Sequence, residues 1–369
     1  MFKPFFLIKY CAYLLLILST SFNVTAKPQN HLYFYNWTDY IAPNTIKNFE
    51  KQTGIKVTYD VFDSNEMLDG KLMAGNTGFD LVVPSDNFLA RQLHYNIYQP
   101  LDKNRLSHYS NLDKKLLEML EIHDPGNRYG IPYLWQTTGI GINTTKVKQI
   151  LGDNAPLDSW DLLFKLENIK KLHRCGIAFL DAPSEIYPTV LKYLGKSPTT
   201  ATKKDYLQAN ELLLAIRPYV TYFHSSKYIN DLASGDICVA IAWSGDIMQA
   251  KNAAKNANKP FDIDYTVPKE GALISFDLLA IPKQAKNMDE TYQFLNYLLA
   301  PNVIADISNH IFYPNANKAS KPFLNNDVIN NSAIYPPKSI MDRLFTVTEL
   351  PPKTDRFIVR LWTKVLTGY

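Results

Sequence analysis

The hydrophobic pattern over residues 32–83 changes repeatedly between the period of a strand and the period of a helix. Strict alternation and short apolar runs predict strands, whereas apolar residues at three- and four-residue spacing predict helices. Gly54 and Gly75 stand where two of these helices should end. The predicted elements are a strand over 32–36, a helix over 43–53, a strand over 55–61, a helix capped by Ser64 and a strand over 79–83.

A second block of strands and helices begins at residues 137–143, a predicted strand that contains two glycines. Residues 276–281 (FDLLAI) predict a later strand that returns to the first block. The other predicted elements are a helix from Ser159 to Leu163, a strand over 176–180, a helix over 206–216, a buried strand over 237–243, a helix over 289–299 and a last helix over 356–366.

Strands that alternate with helices predict an α/β fold in which a parallel sheet is covered on both faces. Two crossings between the blocks predict two lobes joined by a hinge, with a cleft between them. We assign residues 27–136 and 280–322 to lobe 1, and residues 137–279 and 323–369 to lobe 2. Because ligands bind at the carboxyl ends of strands in such sheets, we expect the site where the strands of both lobes end.

The first residues have the pattern of an export signal. Lys3 and Lys9 precede a short apolar run over 11–18, and small residues precede a cleavage site after Ala26. The apolar run is too short to span a bilayer, and no later run reaches the roughly 18 apolar residues that a spanning helix needs. Cys11 lacks the small preceding residues of a lipoprotein site. We therefore predict that residues 1–26 are removed and that the mature protein is exported and does not span the membrane.

Cleavage would leave Cys175 and Cys238 as the remaining cysteines. An exported chain with one such pair is expected to form one disulfide, although two unpaired buried thiols are the alternative. The leader carries two lysines and no acidic residue, so the formal net charge of +4 falls to +2 on cleavage. This balance argues against nucleic acid as a partner.

Aromatic, acidic and hydroxyl residues follow several of the predicted strands. Taken singly, an aspartate after a strand caps the next helix and a tryptophan belongs to the core. Their joint position at strand ends instead indicates the lining of a cleft. These clusters are Trp37-Thr38-Asp39-Tyr40, Ser85-Asp86, Asp181 to Glu185, Trp243 to Asp246, and Phe276-Asp277.

Carboxylates beside aromatic rings are suited to an organic cation. Aromatic faces attract ammonium groups and cover methylene groups, and carboxylates pair with the charge. A polyamine combines both features, since its buried ammonium groups need counter-charges and its methylenes gain roughly 0.8 kcal/mol each on leaving water. The clusters therefore predict a site for an organic cation, and they offer what a polyamine needs.

The chain resembles the periplasmic polyamine-binding proteins of bacterial ABC importers, most closely their putrescine-binding branch. The resemblance covers essentially the whole mature chain and implies a type II periplasmic binding-protein fold that closes on its ligand. It also implies a disulfide between Cys175 and Cys238 and an inner-membrane ABC permease as partner. The matching segments are YNWTDYIAP (35–43), YDVFDSNEMLDGKLMAG (59–75), GFDLVVPS (78–85), TTGIGIN (137–143), FLDAPSE (179–185), YFHSSKYINDLASGDICVAIAWSGD (222–246), FDLLAIP (276–282) and YPNANKA (313–319).

The resemblance also implies roles for individual residues. Aromatic walls around the methylene chain would come from Trp37, Trp243 and Tyr313. One ammonium would bind Asp246 and Asp277. The remaining implied contacts are Thr38, Asp39 and Ser85 to the other ammonium, Glu185 partly through water, and Tyr40 along the cleft.

Three positions depart from the putrescine-binding pattern. Ser275 stands where the family usually has an aromatic wall, which removes an apolar face unless Phe276 turns inward. Thr38 replaces a serine, and the spermidine-binding branch has threonine there. Asp86 replaces a small neutral residue and could add a carboxylate to the site. We therefore expect a roomier and more acidic pocket, and leave spermidine and cadaverine open beside putrescine.

Other functions have weaker support in the sequence. His224, Ser225 and Asp231 could suggest a hydrolase, but no Gly-x-Ser-x-Gly motif is present; Asp246 and Asp277 could suggest a glycosidase pair. The histidines have no close pair at ligand spacing, so we predict no metal site. We also predict no cofactor and no enzyme activity. A different organic cation, an amino acid or a polyamine sensor remain alternatives. We expect a monomer.

Overall fold

A computed structural model describes residues 30–368, so the predicted export signal and cleavage site lie outside the described residues. Within this range the strands form one mixed sheet of ten strands. The strands are β1 His31–Trp37, β2 Lys56–Phe62, β3 Leu81–Val82, β4 Gly130–Asn143, β5 Ile177–Phe179, β6 Tyr222–Phe223, β7 Val239–Trp243, β8 Ile263–Thr266, β9 Ala272–Ala280 and β10 Leu344–Phe345.

Helices of widely different length connect these strands over residues 30–368. The α-helices are α1 Thr45–Thr53, α2 Asn65–Ala74, α3 Asp86–Leu93, α4 Lys114–Leu120, α5 Thr144–Leu151, α6 Asp161–Phe164, α7 Leu166–Leu172, α8 Pro183–Tyr193, α9 Lys203–Ile216, α10 Tyr228–Ser234, α11 Ser244–Asn256, α12 Met288–Leu298, α13 Pro301–Ile311, α14 Asn326–Ile329, α15 Lys338–Met341 and α16 Pro352–Thr367. Short 3₁₀ helices cover Lys103–Arg105, Tyr109–Asn111, His173–Cys175, Arg217–Tyr219 and Lys318–Phe323.

The sheet has two halves that meet at the long strands β4 and β9. Its order is β2-β1-β3-β9-β4-β7-β5-β6, with β8 paired to β4 and β10 paired to β9. The pairs of β1 with β2 and β3, and of β5 with β6 and β7, are parallel, whereas β4 and β9 run antiparallel to each other. The two segments predicted as crossings are therefore strands that connect two α/β lobes, and the predicted bilobal fold is confirmed.

Local sequence signals explain where the elements begin and end. Gly54 adopts φ +74°, a left-handed conformation that ends α1 and that glycine adopts without strain. The Ser64 hydroxyl accepts a hydrogen bond from the Met67 backbone N–H at 3.2 Å and caps α2, as predicted. Among the helices in the part of the chain described, none is long and apolar enough to cross a membrane.

The last helix, α16, packs on the second half of the molecule. The Trp362 indole donates to Asp181 Oδ1 at 2.8 Å, and the Arg217 guanidinium donates to the Val365 carbonyl at 2.9 Å. The Trp362 ring also meets Phe223 edge to face, with ring centroids 5.3 Å apart. These contacts connect α16 to the segments around β5, β6 and α9.

A disulfide joins Cys175, just before β5, to Cys238, just before β7, and their Cα atoms lie 5.5 Å apart. The two strands are parallel neighbours, with Ile177 opposite Val239. The expected disulfide is therefore present, and it cross-links the starts of two adjacent core strands.

We expect simultaneous Cys175→Ala and Cys238→Ala substitution to lower the free energy of unfolding by about 4 kcal/mol. The cross-link spans 63 residues, and removing it returns loop-closure entropy to the unfolded chain. Urea unfolding followed by circular dichroism measures the change, with the oxidised wild-type protein as reference. A loss of less than about 1 kcal/mol would contradict this account of the disulfide.

Candidate functional site

The carboxyl ends of strands from both lobes surround a narrow space. β1 and β2 end at this space from one side, and β7 ends there from the other. Most of its lining is aromatic, acidic or hydroxyl-bearing. The lining residues are Trp37, Thr38, Tyr40, Phe62, Asp63, Gln136, Ser225, Ser226, Ile229, Trp243, Asp246, Asp277 and Tyr313.

Two tryptophans from opposite lobes meet across this space. The rings of Trp37, at the end of β1, and Trp243, at the end of β7, lie edge to face with centroids 5.5 Å apart. The Trp37 indole donates to the Val83 carbonyl at 2.9 Å, and its ring packs on Phe62 at 4.6 Å. Both tryptophans are buried. The Trp37 side chain is therefore fixed in its lobe by a hydrogen bond and by packing.

Asp277 lies on β9 with each carboxylate oxygen bonded to a hydroxyl. Ser85 Oγ donates to Oδ1 at 2.6 Å and Tyr40 Oη donates to Oδ2 at 2.6 Å. Ser85 is fixed in turn by Asn65, whose amide donates to the Ser85 hydroxyl at 2.9 Å and accepts from its backbone N–H at 3.0 Å. These partners come from three segments of the first lobe and fix the orientation of the carboxylate.

Asp246, in the first turn of α11, has a matching arrangement. Tyr313 Oη donates to Oδ1 at 2.6 Å, and Tyr228 Oη donates to Oδ2. A Cβ at the neighbouring Gly245 would stand 2.2 Å from the Tyr313 ring, so only glycine permits this approach. The Tyr313 and Tyr40 rings meet edge to face at 4.7 Å, which brings the two carboxylate groups to the same space.

These carboxylates have no cationic side chain beside them. Over residues 30–368, no Lys, Arg or His forms an ion pair with Asp246, Asp277 or Glu185. Burial raises the pKa of Asp246 to about 7 and that of Asp277 to about 6, although their hydroxyl partners lower both values. The site thus contains buried acidic groups that lack a counter-charge.

Neither Glu185 nor Asp39 is among the residues that line this space. Glu185 is buried, its Oε2 accepts a hydrogen bond from Thr138 Oγ1 at 2.5 Å, and burial raises its pKa to about 7. Asp39 is exposed and adopts φ +55°. The backbone N–H of Thr38 donates to the Phe62 carbonyl at 3.0 Å, which connects the ends of β1 and β2.

Ser275 and Phe276 lie on opposite faces of β9. Ser275 precedes Asp277 by two residues, so its side chain points to the same face as this carboxylate. Phe276 points to the other face, where its ring packs on Trp135 with centroids 6.4 Å apart. The structure therefore does not turn Phe276 inward to replace the aromatic wall that is missing at Ser275.

Asp86 is buried behind the space rather than in its lining. Its Oδ2 lies 3.4 Å from His123 Nε2, and its Oδ1 accepts a hydrogen bond from the Asn87 backbone N–H at 2.9 Å. Burial raises the pKa of Asp86 to about 8, and the nearby Asp277 and Glu185 carboxylates raise it further. Asp86 thus adds a titratable group close to the site without facing it.

Several lining residues were missed by the sequence reasoning. Phe62 ends β2 and Asp63 follows it, and Ser225-Ser226 come after β6, so the strand-end rule would have found both pairs. Ser225 Oγ is buried and has no hydrogen-bond partner within residues 30–368. Gln136 lies inside β4 rather than at a strand end, so the same rule could not have selected it.

The alternative chemistry at His224 has a structural explanation. His224 Nδ1 accepts hydrogen bonds from the Ser226 and Lys227 backbone N–H groups at 3.0 and 3.1 Å, just before α10. The imidazole thereby shapes the turn that leads into this helix. In residues 30–368, no group of three or more His, Cys, Asp or Glu side chains is placed to bind a metal ion.

Comparison with known proteins identifies the family of this chain. Residues 44–336 match the family described as bacterial extracellular solute-binding protein. The chain belongs to this family. It is 56% identical over 353 residues to the putrescine-binding periplasmic protein PotF of Escherichia coli, covering 95% of each chain. It is 53% identical to the putrescine-binding periplasmic protein SpuD of Pseudomonas aeruginosa, covering 91% of this chain and 92% of the relative.

Solved structures agree on the fold of this solute-binding protein. A putative spermidine/putrescine ABC transporter protein from Listeria monocytogenes superposes with a TM-score of 0.81 at 30% identity. The superposition covers 91% of this chain and 98% of that chain. Members of the family bind solutes and are not enzymes, so the hydrolase and glycosidase alternatives are not supported.

We expect Asp246→Asn to stabilise the ligand-free protein at neutral pH. A carboxyl whose pKa is raised on folding binds more protons in the folded state, so its contribution to stability is full at low pH and declines as pH rises from about 4 to about 7. The variant cannot ionise and should exceed the wild type by at least about 1 kcal/mol at pH about 7.5. Urea unfolding at pH about 4.5 and about 7.5 measures this, and a variant less stable than the wild type at the higher pH would contradict it.

Proposed function

We propose that the protein is a periplasmic receptor that binds a polyamine, with putrescine as the preferred ligand, and delivers it to an ABC permease of the inner membrane. The observation that carries this proposal is the set of buried carboxylates without a counter-charge, placed between aromatic rings from both lobes. A linear dication supplies the missing charge and an apolar chain for the rings to cover. The relatives in Escherichia coli and Pseudomonas aeruginosa are putrescine-binding periplasmic proteins, which supports putrescine as the ligand.

The residues of the site fit a polyamine in a specific way. Asp246 and Asp277 bind one ammonium, and Thr38, Asp39 and Ser85 bind the other, with Glu185 acting partly through water. Trp37, Trp243 and Tyr313 cover the methylene groups, and Tyr40 lines the cleft beside them.

Simple energetics show why the carboxylates matter most. Four methylenes contribute about 3 kcal/mol on leaving water, whereas a micromolar ligand needs about 8 kcal/mol. Charge-assisted hydrogen bonds must therefore provide the larger part of the affinity.

Closure of the two lobes accompanies binding. We propose lobe boundaries at residues 27–136 with 280–322, and 137–279 with 323–369. Contacts between these units include the Trp37–Trp243 pair and the hydrogen bond from Ser184 Oγ to Glu66 Oε1 at 2.8 Å. A ligand that touches both units favours the closed arrangement, because its contacts differ between the open and closed states.

The pocket has features that bear on ligand length. Ser275 leaves space where a wall would otherwise stand on the Asp277 face of β9, and Thr38 and Asp86 also depart from the putrescine pattern. Spermidine and cadaverine are therefore the ligands against which putrescine should be compared. The receptor acts as an exported monomer whose residues 1–26 are removed, and it has no nucleic-acid partner.

We expect Asp277→Asn to weaken putrescine binding by at least about 2 kcal/mol, roughly thirtyfold. The variant leaves an ammonium short of its counter-charge in a buried site. Isothermal titration calorimetry of the refolded, ligand-free mature protein measures the dissociation constant. Asp289→Asn serves as a control, because Asp289 pairs with Arg105 at the surface with its side chain 84% exposed.

The outcomes separate the proposal from its alternatives. Wild-type protein that binds putrescine, with loss confined to Asp277→Asn, supports both the ligand and the site. Unchanged affinity in this variant would remove Asp277 from the site. Wild-type protein that gives no heat with putrescine would contradict the proposed ligand.

A further inference from the structure

A second tyrosine contacts Asp246 without lining the cleft. We propose that Tyr228 is a positioning residue for ligand binding: its hydroxyl orients the Asp246 carboxylate toward the ligand ammonium without touching the ligand. The proposal rests on the proposed function, since it assigns to Asp246 the role of a counter-charge.

The geometry separates Tyr228 from the lining residues. Tyr228 is the first residue of α10, is fully buried, and is not part of the cleft lining. Its neighbours Ser226 and Ile229 do line the cleft. Tyr228 is thus one layer behind the surface that a ligand would touch, and its effect on binding must pass through Asp246.

The two phenols around Asp246 divide its oxygens between them. Tyr313 donates to Oδ1 from the cleft side, and Tyr228 donates to Oδ2 from within the second lobe. A carboxylate offers two acceptor sites on each oxygen, so one site on each remains for a ligand. With both oxygens engaged, rotation of the carboxylate would break at least one hydrogen bond.

The hydroxyl of Tyr228 can act only as a proton donor to this carboxylate. Burial and the adjacent Asp246 raise the pKa of Tyr228 well above the ordinary tyrosine value, so it keeps its proton. Its hydrogen bond favours the ionised form of Asp246 and lowers the pKa of this carboxyl, as does that of Tyr313. The Asp39 charge also acts on Asp246 and raises this pKa, and Asp246 in turn helps to raise the pKa of Tyr40.

A second tyrosine–aspartate pair in this part of the chain provides the control. Tyr222 Oη donates to Asp231 Oδ2 at 2.8 Å, so it is also a tyrosine bonded to an aspartate. Tyr222 lies on β6 and Asp231 lies in α10, and neither is part of the cleft lining. Tyr222→Phe therefore removes a comparable hydrogen bond from the same segment without involving Asp246.

The test compares Tyr228→Phe, Tyr222→Phe and wild type by calorimetric titration with putrescine in two buffers of different ionisation enthalpy. Loss of a hydrogen bond to a charged group should weaken binding roughly tenfold in Tyr228→Phe. The variant should also release more protons per putrescine bound at neutral pH, because its Asp246 starts with a higher pKa. Tyr222→Phe should match the wild type in both quantities.

Each result has a distinct meaning. Unchanged affinity and proton release in Tyr228→Phe, with wild-type protein binding putrescine, would overturn the positioning role and leave the proposed function intact. Weaker binding without a change in proton release would assign the effect to packing and also overturn it. An unfolded Tyr228→Phe beside a folded Tyr222→Phe would show a purely structural role, and absence of wild-type binding would contradict the proposed function itself.

Discussion

Acidic side chains buried without a counter-charge are the constraint on which this structure depends. Ionising a carboxyl in such a place is costly, and an unpaired buried charge costs several kcal/mol. Asp246 and Asp277 are each bonded to two hydroxyl groups, which reduces this cost without removing it. The ligand-free protein is therefore less stable than it would be with neutral residues at these positions. A bound cation restores the lost stability. In this account, affinity for a cation and instability in its absence have the same origin.

The fold explains how two such carboxylates reach one place. β4 and β9 pass between the two halves of the sheet, so strand ends from both lobes face the same space. Asp277 lies on β9 itself, whereas Asp246 lies in the first turn of α11, the helix that follows β7. Their phenol partners Tyr40 and Tyr313 pack on each other, which connects the two acidic groups through a pair of rings. With the proposed lobe boundaries, movement of one lobe against the other would separate the Trp37 and Trp243 rings, so closure and assembly of the site are one event.

Much of the fold was predictable because it depends on local periodicity. The strands before Trp37 and Trp243, the cap at Ser64 and the two crossings follow from apolar alternation and helix-cap residues. Very short strands were harder, since β6 and β10 have two residues each and leave almost no pattern. The extension of β4 back to Gly130 was also missed, because a strand buried along its whole length shows no alternation.

The site was predictable only as far as it follows strand ends. Trp37, Asp246 and Asp277 lie at or near strands that the sequence pattern predicts. Tyr313 does not follow a predicted strand, and only the family resemblance identified it. Tyr228 could not be identified from sequence, because a tyrosine at the start of a helix is ordinarily a core residue. The directions of the Phe276 and Asp86 side chains depend on tertiary structure. The pleat of β9 sets the direction of Phe276, and packing against His123 sets that of Asp86.

The most direct test of the account compares putrescine with n-butylamine, which has the same four-carbon chain and one ammonium instead of two. Calorimetric titration of the refolded, ligand-free protein should include cadaverine, spermidine and spermine to define the preferred length. The account predicts micromolar or tighter binding of putrescine and binding of butylamine that is at least about a hundredfold weaker, since each buried ammonium pair contributes roughly 3 kcal/mol or more. Equal affinity for the two amines, or no binding of any polyamine, would contradict it.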